Sequence, residues 1–323
     1  MSQSEGYSLV AAWQALARGW NRFFHAPQDT RVCAAVRIAQ AAVLLVNLAF
    51  LYPDLNLWYT DGGVLPSAAS REMGDPFGWS LLWHLPATRG VVHACFWVLV
   101  GHTVLLLLGF CSRINAMAVL VWLISFQNRN EQILDGEDFV MRVILVFLIL
   151  MPGGWCWSVD AWLRRWRSPI ASASDSPWQP AWGLRLLQIQ MATIYFSAGL
   201  WKAAGASWID GTALYYVARL DDYFGKFPTP AFLFDTPWLV ALITWSVVLG
   251  ELLVPLFIWF RETRRLCLVA AILFHLANEY TMHLFLFHWA MLAGWLAFVR
   301  AEDFAWLAGR PRSNSALPLT SDL

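Results

Sequence analysis

The stretch Ile189–Tyr216, IQMATIYFSAGLWKAAGASWIDGTALYY, decides how this chain is read. Its first half is an apolar run with helical spacing, and Lys202 stands close to the end of that run. Lysine is rare here: the only two are Lys202 and Lys226, against twenty arginines. A charge at membrane depth costs about 2.5–3.5 kcal/mol on insertion scales, less if the side chain snorkels to the interface. A buried amine can also act as a general base. Gln188, Met191, Tyr195, Gly199 and Lys202 repeat at helical intervals and form the polar stripe of the helix. A lipid-facing stripe would not be polar, so Lys202 is expected to line the bundle interior rather than to snorkel.

Working outward, hydrophobic residues make up 59% of the chain and charged residues 14%. A soluble domain carries roughly 25% charged residues. Several apolar runs reach or approach the length of about 18 residues that crosses a bilayer. The expected fold class is therefore all-α, a polytopic membrane helical bundle. Eight spans are read, near 32–51, 91–111, 114–126, 139–154, 184–203, 238–260, 265–279 and 284–299. With a cytoplasmic N-terminus, thirteen Lys or Arg fall on inside segments and five on outside segments, which the positive-inside rule favours. Both termini are thus expected inside, in a bacterial inner membrane, with the acidic loops outside. No cleavable signal peptide is expected, because the first thirty residues hold no compact apolar core.

The domain plan has three parts. Residues 1–30 form an amphipathic interfacial helix, with Leu9, Trp13, Leu16, Trp20 and Phe23 on one face. Residues 31–305 form the transmembrane domain, and 306–323 a disordered cytoplasmic tail. A Ser/Pro-rich linker over 168–180 divides the spans into two groups of four. The net charge is zero, which gives no sign of nucleic-acid binding. The five cysteines show no metal spacing, and no metal site is expected.

Other polar residues stand out against this background. His275 falls near mid-membrane, and Asn278 and Glu279 follow at i+3 and i+4 on the same face. Such a set can relay protons or orient a ligand. Glu251 is the carboxylate deep inside a span. Pro255 lies four residues on and cannot bond the Glu251 carbonyl. Arg37 and Arg142 are the expected ion-pair partners of Glu251. Asp61, Asn128, Asn130, Asp135 and Asp138 could line an outer entrance, though most are expected to be caps and turn formers. Asp210 belongs to the same outer class. His102 is also near mid-membrane, but a haem held between it and His275 has no other support in the sequence.

The chain resembles the HTTM family, the transmembrane domain shared by vitamin K-dependent γ-glutamyl carboxylases and shorter bacterial membrane proteins. The resemblance spans about residues 30–305. It rests on LYPDLNLWYTDGGVLP (51–66), NRNEQILDGEDFVMR (128–142), WSVDAW (157–162), YFSAGLWKAAGASWIDGTALYY (195–216), ELLVP (251–255) and FHLAN (274–278). In the carboxylases, a lysine in the segment matching AGLWKA deprotonates a reduced quinone. The quinone then reacts with O₂, and the resulting base opens a substrate Glu to CO₂. The resemblance implies Lys202 as base, His275 as the family histidine, and a reduced, vitamin K-like quinone as cofactor. Tyr195, Trp201, Asn278 and Glu279 are the expected cofactor-binding residues. The implied partners are membrane lipid, an exported peptide or small substrate at the outer face, and a small partner protein. Two departures are visible: Trp201 stands where the carboxylases have a second lysine, and no histidine occurs in 128–138. The large extramembrane domain has no counterpart either, so a short bacterial type is expected. A smaller family member resembles the membrane factor that matures a secreted toxin peptide. The alternative to redox chemistry is therefore a maturation or assembly factor for a secreted peptide or toxin.

Overall fold

The computed structural model describes residues 3–168, 177–300 and 302–303, and the side chains from residue 10 onward. The expected tail over 306–323, and most of the Ser/Pro linker, lie outside the described residues. Almost everything described is helical. The main helices are α1 (Gln3–His25), α2 (Thr30–Leu51), α3 (Arg89–Leu108), α4 (Ser112–Arg129), α5 (Gly136–Leu150), α6 (Val159–Arg167), α7 (Trp182–Ala203), α8 (Pro237–Phe257), α9 (Arg264–Thr281) and α10 (Phe287–Trp295).

Each of the eight spans read from the sequence falls on one of these helices: α2 to α5, then α7 to α10. Among the described residues, three helical stretches are long and apolar enough to cross a membrane by length and composition: Thr30–Tyr59, Arg89–Leu108 and Pro237–Phe257. The outer face of α8 makes the point physically. Trp238, Leu242, Trp245, Leu249, Leu253 and Leu256 are all exposed along it. A stripe of that size in water would be a liability, whereas hydrocarbon satisfies it.

Local signals explain where the helices begin and end. The Asp29 carboxylate accepts the backbone N–H of Arg31 at 3.0 Å and caps α2. Asp135 and Asp138 form a reciprocal capping box at the start of α5. Gly109 ends α3 at φ +71°, and a side chain there would strike the Arg37 guanidinium. The carboxylate of Asp160 accepts the backbone N–H groups of Cys111 and Ser112, at 2.8 and 3.2 Å. It thereby places a negative charge on the positive end of the α4 dipole.

Helices α2 to α5 pack on one another, as do α7 to α10. The two sets join where α10 meets α2 and α5 and where α7 meets α5. A single apolar core runs across the seam, from Leu44, Phe96 and Met141 to Met191, Met291 and Trp295. The small antiparallel pair of β1 (Pro27–Asp29) and β2 (Trp178–Pro180) was not foreseen; it places Gln28 opposite Gln179. It ties the start of α2 to the end of the linker, and the Thr30 hydroxyl adds a bond to the Pro177 carbonyl at 2.8 Å. Trp13, Leu16 and Trp20 of α1 are exposed, as are all its residues over 10–22.

Candidate functional site

The stripe on α7 faces inward, as its spacing predicts. Gln188, Met191, Tyr195 and Gly199 are buried, and Lys202 is half-buried at its C-terminal end. The Lys202 ammonium reaches across to α8 and meets both oxygens of Glu251, at 2.8 and 2.6 Å. This corrects the expected partners of Glu251. Arg37 donates instead to the Leu106 and Trp157 carbonyls, at 3.1 and 2.6 Å. Arg142 is held by Gln127 and by Asn128. Both arginines lie in the first set of helices, whereas Lys202 and Glu251 face each other across the most extensive helix contact in the fold, α7 on α8. Gly199 makes that approach possible. A Cβ there would lie 2.9 Å from Leu252 and 3.2 Å from the Glu251 backbone. A Lys–Glu pair in a low-dielectric setting is strongly attractive and costly to break on one side only.

Near the pair, though lined by neither Lys202 nor Glu251, is an apolar groove of about 320 Å³ formed by Ala203, Trp208, Ile209, Trp245, Val248 and Leu249. The Trp208 ring links the two, with the Lys202 ammonium 5.4 Å from its centroid, within cation–π range. The Trp245 indole N–H donates to the Ile209 carbonyl at 3.1 Å and fixes the groove wall.

About two turns along α7 from Lys202 is a second polar group. The Trp295 indole N–H donates to the Tyr195 hydroxyl at 2.8 Å. The Tyr195 hydroxyl is bonded to His275 Nε2, and His275 Nδ1 lies 3.0 Å from His288 Nδ1. One arrangement uses the tyrosine proton. Tyr195 donates to His275 Nε2, and His275 Nδ1–H then donates to His288 Nδ1. That leaves a proton on His288 Nε2, which is buried with no partner among the described residues. Sequence reasoning missed His288. Its signal was weak: it stands alone on α10, thirteen residues past His275, with no helical register linking the two.

The remaining expected site residues do not gather here. Trp201 is 82% exposed and lies outside both polar groups. Asn278 is half-buried. Glu279 pairs with Lys226 at 2.5 Å, which ties the outer loop to the end of α9. The other outer residues are turn formers. The Ser67 hydroxyl and backbone N–H both donate to Asp61 and hold its carboxyl below the usual range. Asn130 caps the turn after α4, Asn128 bonds the Trp79 carbonyl, and Asp210 accepts from Thr212. His102 bonds Asn115 at 2.8 Å, within the first helix set.

The family model for the HTTM domain matches residues 70–303. The chain belongs to the HTTM family. The match takes in Lys202, Glu251, His275 and His288, but it begins after the 51–66 segment on which part of the resemblance was read. The uncharacterized protein YitO of Bacillus subtilis (strain 168) is 25% identical over 191 residues, which are 55% of this chain and 58% of that protein. The chain thus matches a little over half the length of this curated relative. No solved structure matches the chain. Family membership and the apolar helices make this a membrane protein.

Proposed function

We propose that this HTTM protein carries out quinol-linked proton chemistry at the outer face of a bacterial inner membrane, acting on an exported peptide or small substrate. The observation that carries the reading is the Lys202–Glu251 pair set against an apolar groove. The groove suits the ring of a lipid-soluble, vitamin K-like quinol: it is apolar, carries two indoles, and shares Trp208 with the Lys202 ammonium, 5.4 Å from that ring's centroid. Ala203, Trp208, Trp245 and Leu249 would hold the ring. A bound quinol supplies reducing equivalents and an acidic hydroxyl. The proton acceptor is the Lys202–Glu251 pair rather than a lone amine, since the carboxylate holds the nitrogen in place and can share the proton. The row Tyr195–His275–His288 can pass a proton by tautomer exchange across the bundle. The charge count supports a multi-pass arrangement of eight spans with both ends inside.

The test is quinol binding and quinol-dependent O₂ uptake by the purified protein in lipid nanodiscs. Lys202→Ala is expected to cut the rate by about 100-fold, the usual scale for loss of a general base. A folded Lys202→Ala protein with full activity, or wild-type protein that binds no quinol, would overturn the proposal. The acidic outer loops favour a second reading, a non-redox maturation or assembly factor for a secreted peptide. Capture of such a peptide with no dependence on quinone would carry that reading instead.

A further inference from the structure

A second cavity, of about 210 Å³, lies in the other half of the molecule. It sits between the end of α2, the short helix Leu55–Tyr59, α4 and the start of α5, with Phe285 before α10 as its one residue from the second set of helices, and none of its lining comes from α7 or α8. Four carboxylates line it, Asp54, Asp135, Glu137 and Asp138, and no Lys, Arg or His does. Its apolar walls are aromatic, with Phe50, Trp58, Phe126 and Phe285 among them.

Two of the carboxylates are used locally. Asp138 accepts from Gln127 and from the Asp135 backbone, and Asp135 completes the capping box. Glu137 is different. It is only 4% exposed, it lines the cavity, and among the described residues it has no ion-pair partner and no hydrogen bond from another side chain, only one from its own backbone N–H. A carboxylate this little exposed, with no partner beyond its own backbone N–H, is costly to ionise, and a protein relieves the cost by protonation or by a cation. A metal ion is a poor guest, because among the described residues no three His, Cys, Asp or Glu side chains converge as ligands. Aromatic faces and carboxylates together are the surroundings that hold an organic cation. The volume is below the roughly 300–1,000 Å³ of whole-ligand pockets, so the cavity suits a charged head group rather than a large molecule.

We propose that this cavity binds an organic cation, a guanidinium or ammonium group, with Glu137 as its buried counter-ion and Asp54 at the mouth. The group is carried either by a side chain of an exported peptide or by a free amine. Burial pushes the Glu137 carboxyl up to about 7, and it also raises Asp138. The other charged or titratable groups facing Glu137 are Asp54 and Tyr59 from the segment after α2, and Asp135 and Asp138 from α5. Arg142, one turn deeper, is engaged by Gln127 and Asn128 of α4. The sign follows. A carboxyl raised in the folded state stabilises below its unfolded value and loses that contribution as pH rises through about 7. A guest cation prefers the ionised form, so its binding tightens over the same interval.

The experiment is calorimetric titration of the full chain in nanodiscs. The probes are acetyl-Gly-Arg-Gly-amide, its neutral citrulline counterpart, and ethylguanidine. The arginine peptide is expected to bind and the citrulline peptide not to. Affinity should fall about tenfold from pH 8 to pH 6, and Glu137→Gln should weaken binding about tenfold or more and abolish the pH dependence. Binding of the peptide well above ethylguanidine assigns a peptide side chain as the source; equal binding assigns a free amine. Equal binding of the citrulline peptide, wild-type affinity in a folded Glu137→Gln protein, or no binding of either cation would overturn the proposal. If Glu137→Gln does not fold, Asp54→Asn at the exposed mouth takes its place. A several-fold loss there supports the site, and no loss with no pH dependence in the wild type rejects it.

Discussion

The two halves of the bundle use their buried polar groups differently. In the first half, Arg37 donates to the carbonyls of Leu106 and Trp157, and Arg129 donates to those of Tyr59 and Leu65. These arginines complete the hydrogen bonding of backbone at helix ends and in the loops beside them. In the second half, two groups run from ionisable side chain to side chain, Lys202 to Glu251 and Trp295 to Tyr195 to His275 to His288, although Gln188 donates to the Ala297 carbonyl. Bonds to carbonyls fix a fold and cannot change state. Rows of ionisable side chains can exchange protons. On the proposed function, the contrast separates a half whose arginines anchor backbone from a half that carries the quinol chemistry, and it can be broken by substitution.

The largest effect is expected at the ion pair. Glu251→Leu leaves the Lys202 ammonium without its carboxylate inside the bundle and should destabilise the protein by about 3 kcal/mol in thermal unfolding. The double variant Lys202→Met with Glu251→Leu should recover most of that loss, since an apolar pair of similar volume needs no solvation. Quinol-dependent O₂ uptake should stay lost in both. If the double variant were no more stable than the single, the pair would not be an energetic unit.

A smaller effect is expected at Tyr195. Tyr195→Phe keeps the ring against Trp295 but removes the hydroxyl that accepts from the Trp295 indole and bonds His275. Two buried groups then lack partners, a loss of about 2 kcal/mol. The ¹⁵N shifts of His275 should show the tautomer released from its single arrangement. Unchanged shifts would mean that the row does not set the histidine proton.

The helices were legible in the sequence because lipid demands long apolar runs, and composition and charge reveal those directly. The inward stripe on α7 was legible for the same reason, since Gln188, Tyr195 and Lys202 repeat at helical spacing. The pairing across helices was not. Nothing local to Glu251 says that α8 lies against α7, whereas Gly199, the residue that brings them together, reads as an ordinary small residue in an apolar run. Arg37 and Arg142 were reasonable partners by depth alone, and depth does not say which helices are neighbours. His288 was lost in the same way, because the bond from His275 crosses from α9 to α10. Trp201 shows the converse: being next to Lys202 in sequence turns it about 100° around the helix, onto the exposed face and away from Glu251.

The smallest effect, and the sharpest test of the first half, is Arg37→Lys. The guanidinium reaches two carbonyls at once, Leu106 at the end of α3 and Trp157 before α6, and it lies under Gly109. A lysine keeps the charge but has one compact head, which can hold one carbonyl well and the other poorly. The expected loss is therefore about 1 kcal/mol, one hydrogen bond rather than the whole anchor. Quinol binding and O₂ uptake should not change, because none of the groove lining comes from α2. A change in either rate or affinity at unchanged stability would show that the first half is coupled to the reaction, and the division drawn between the two halves would fall.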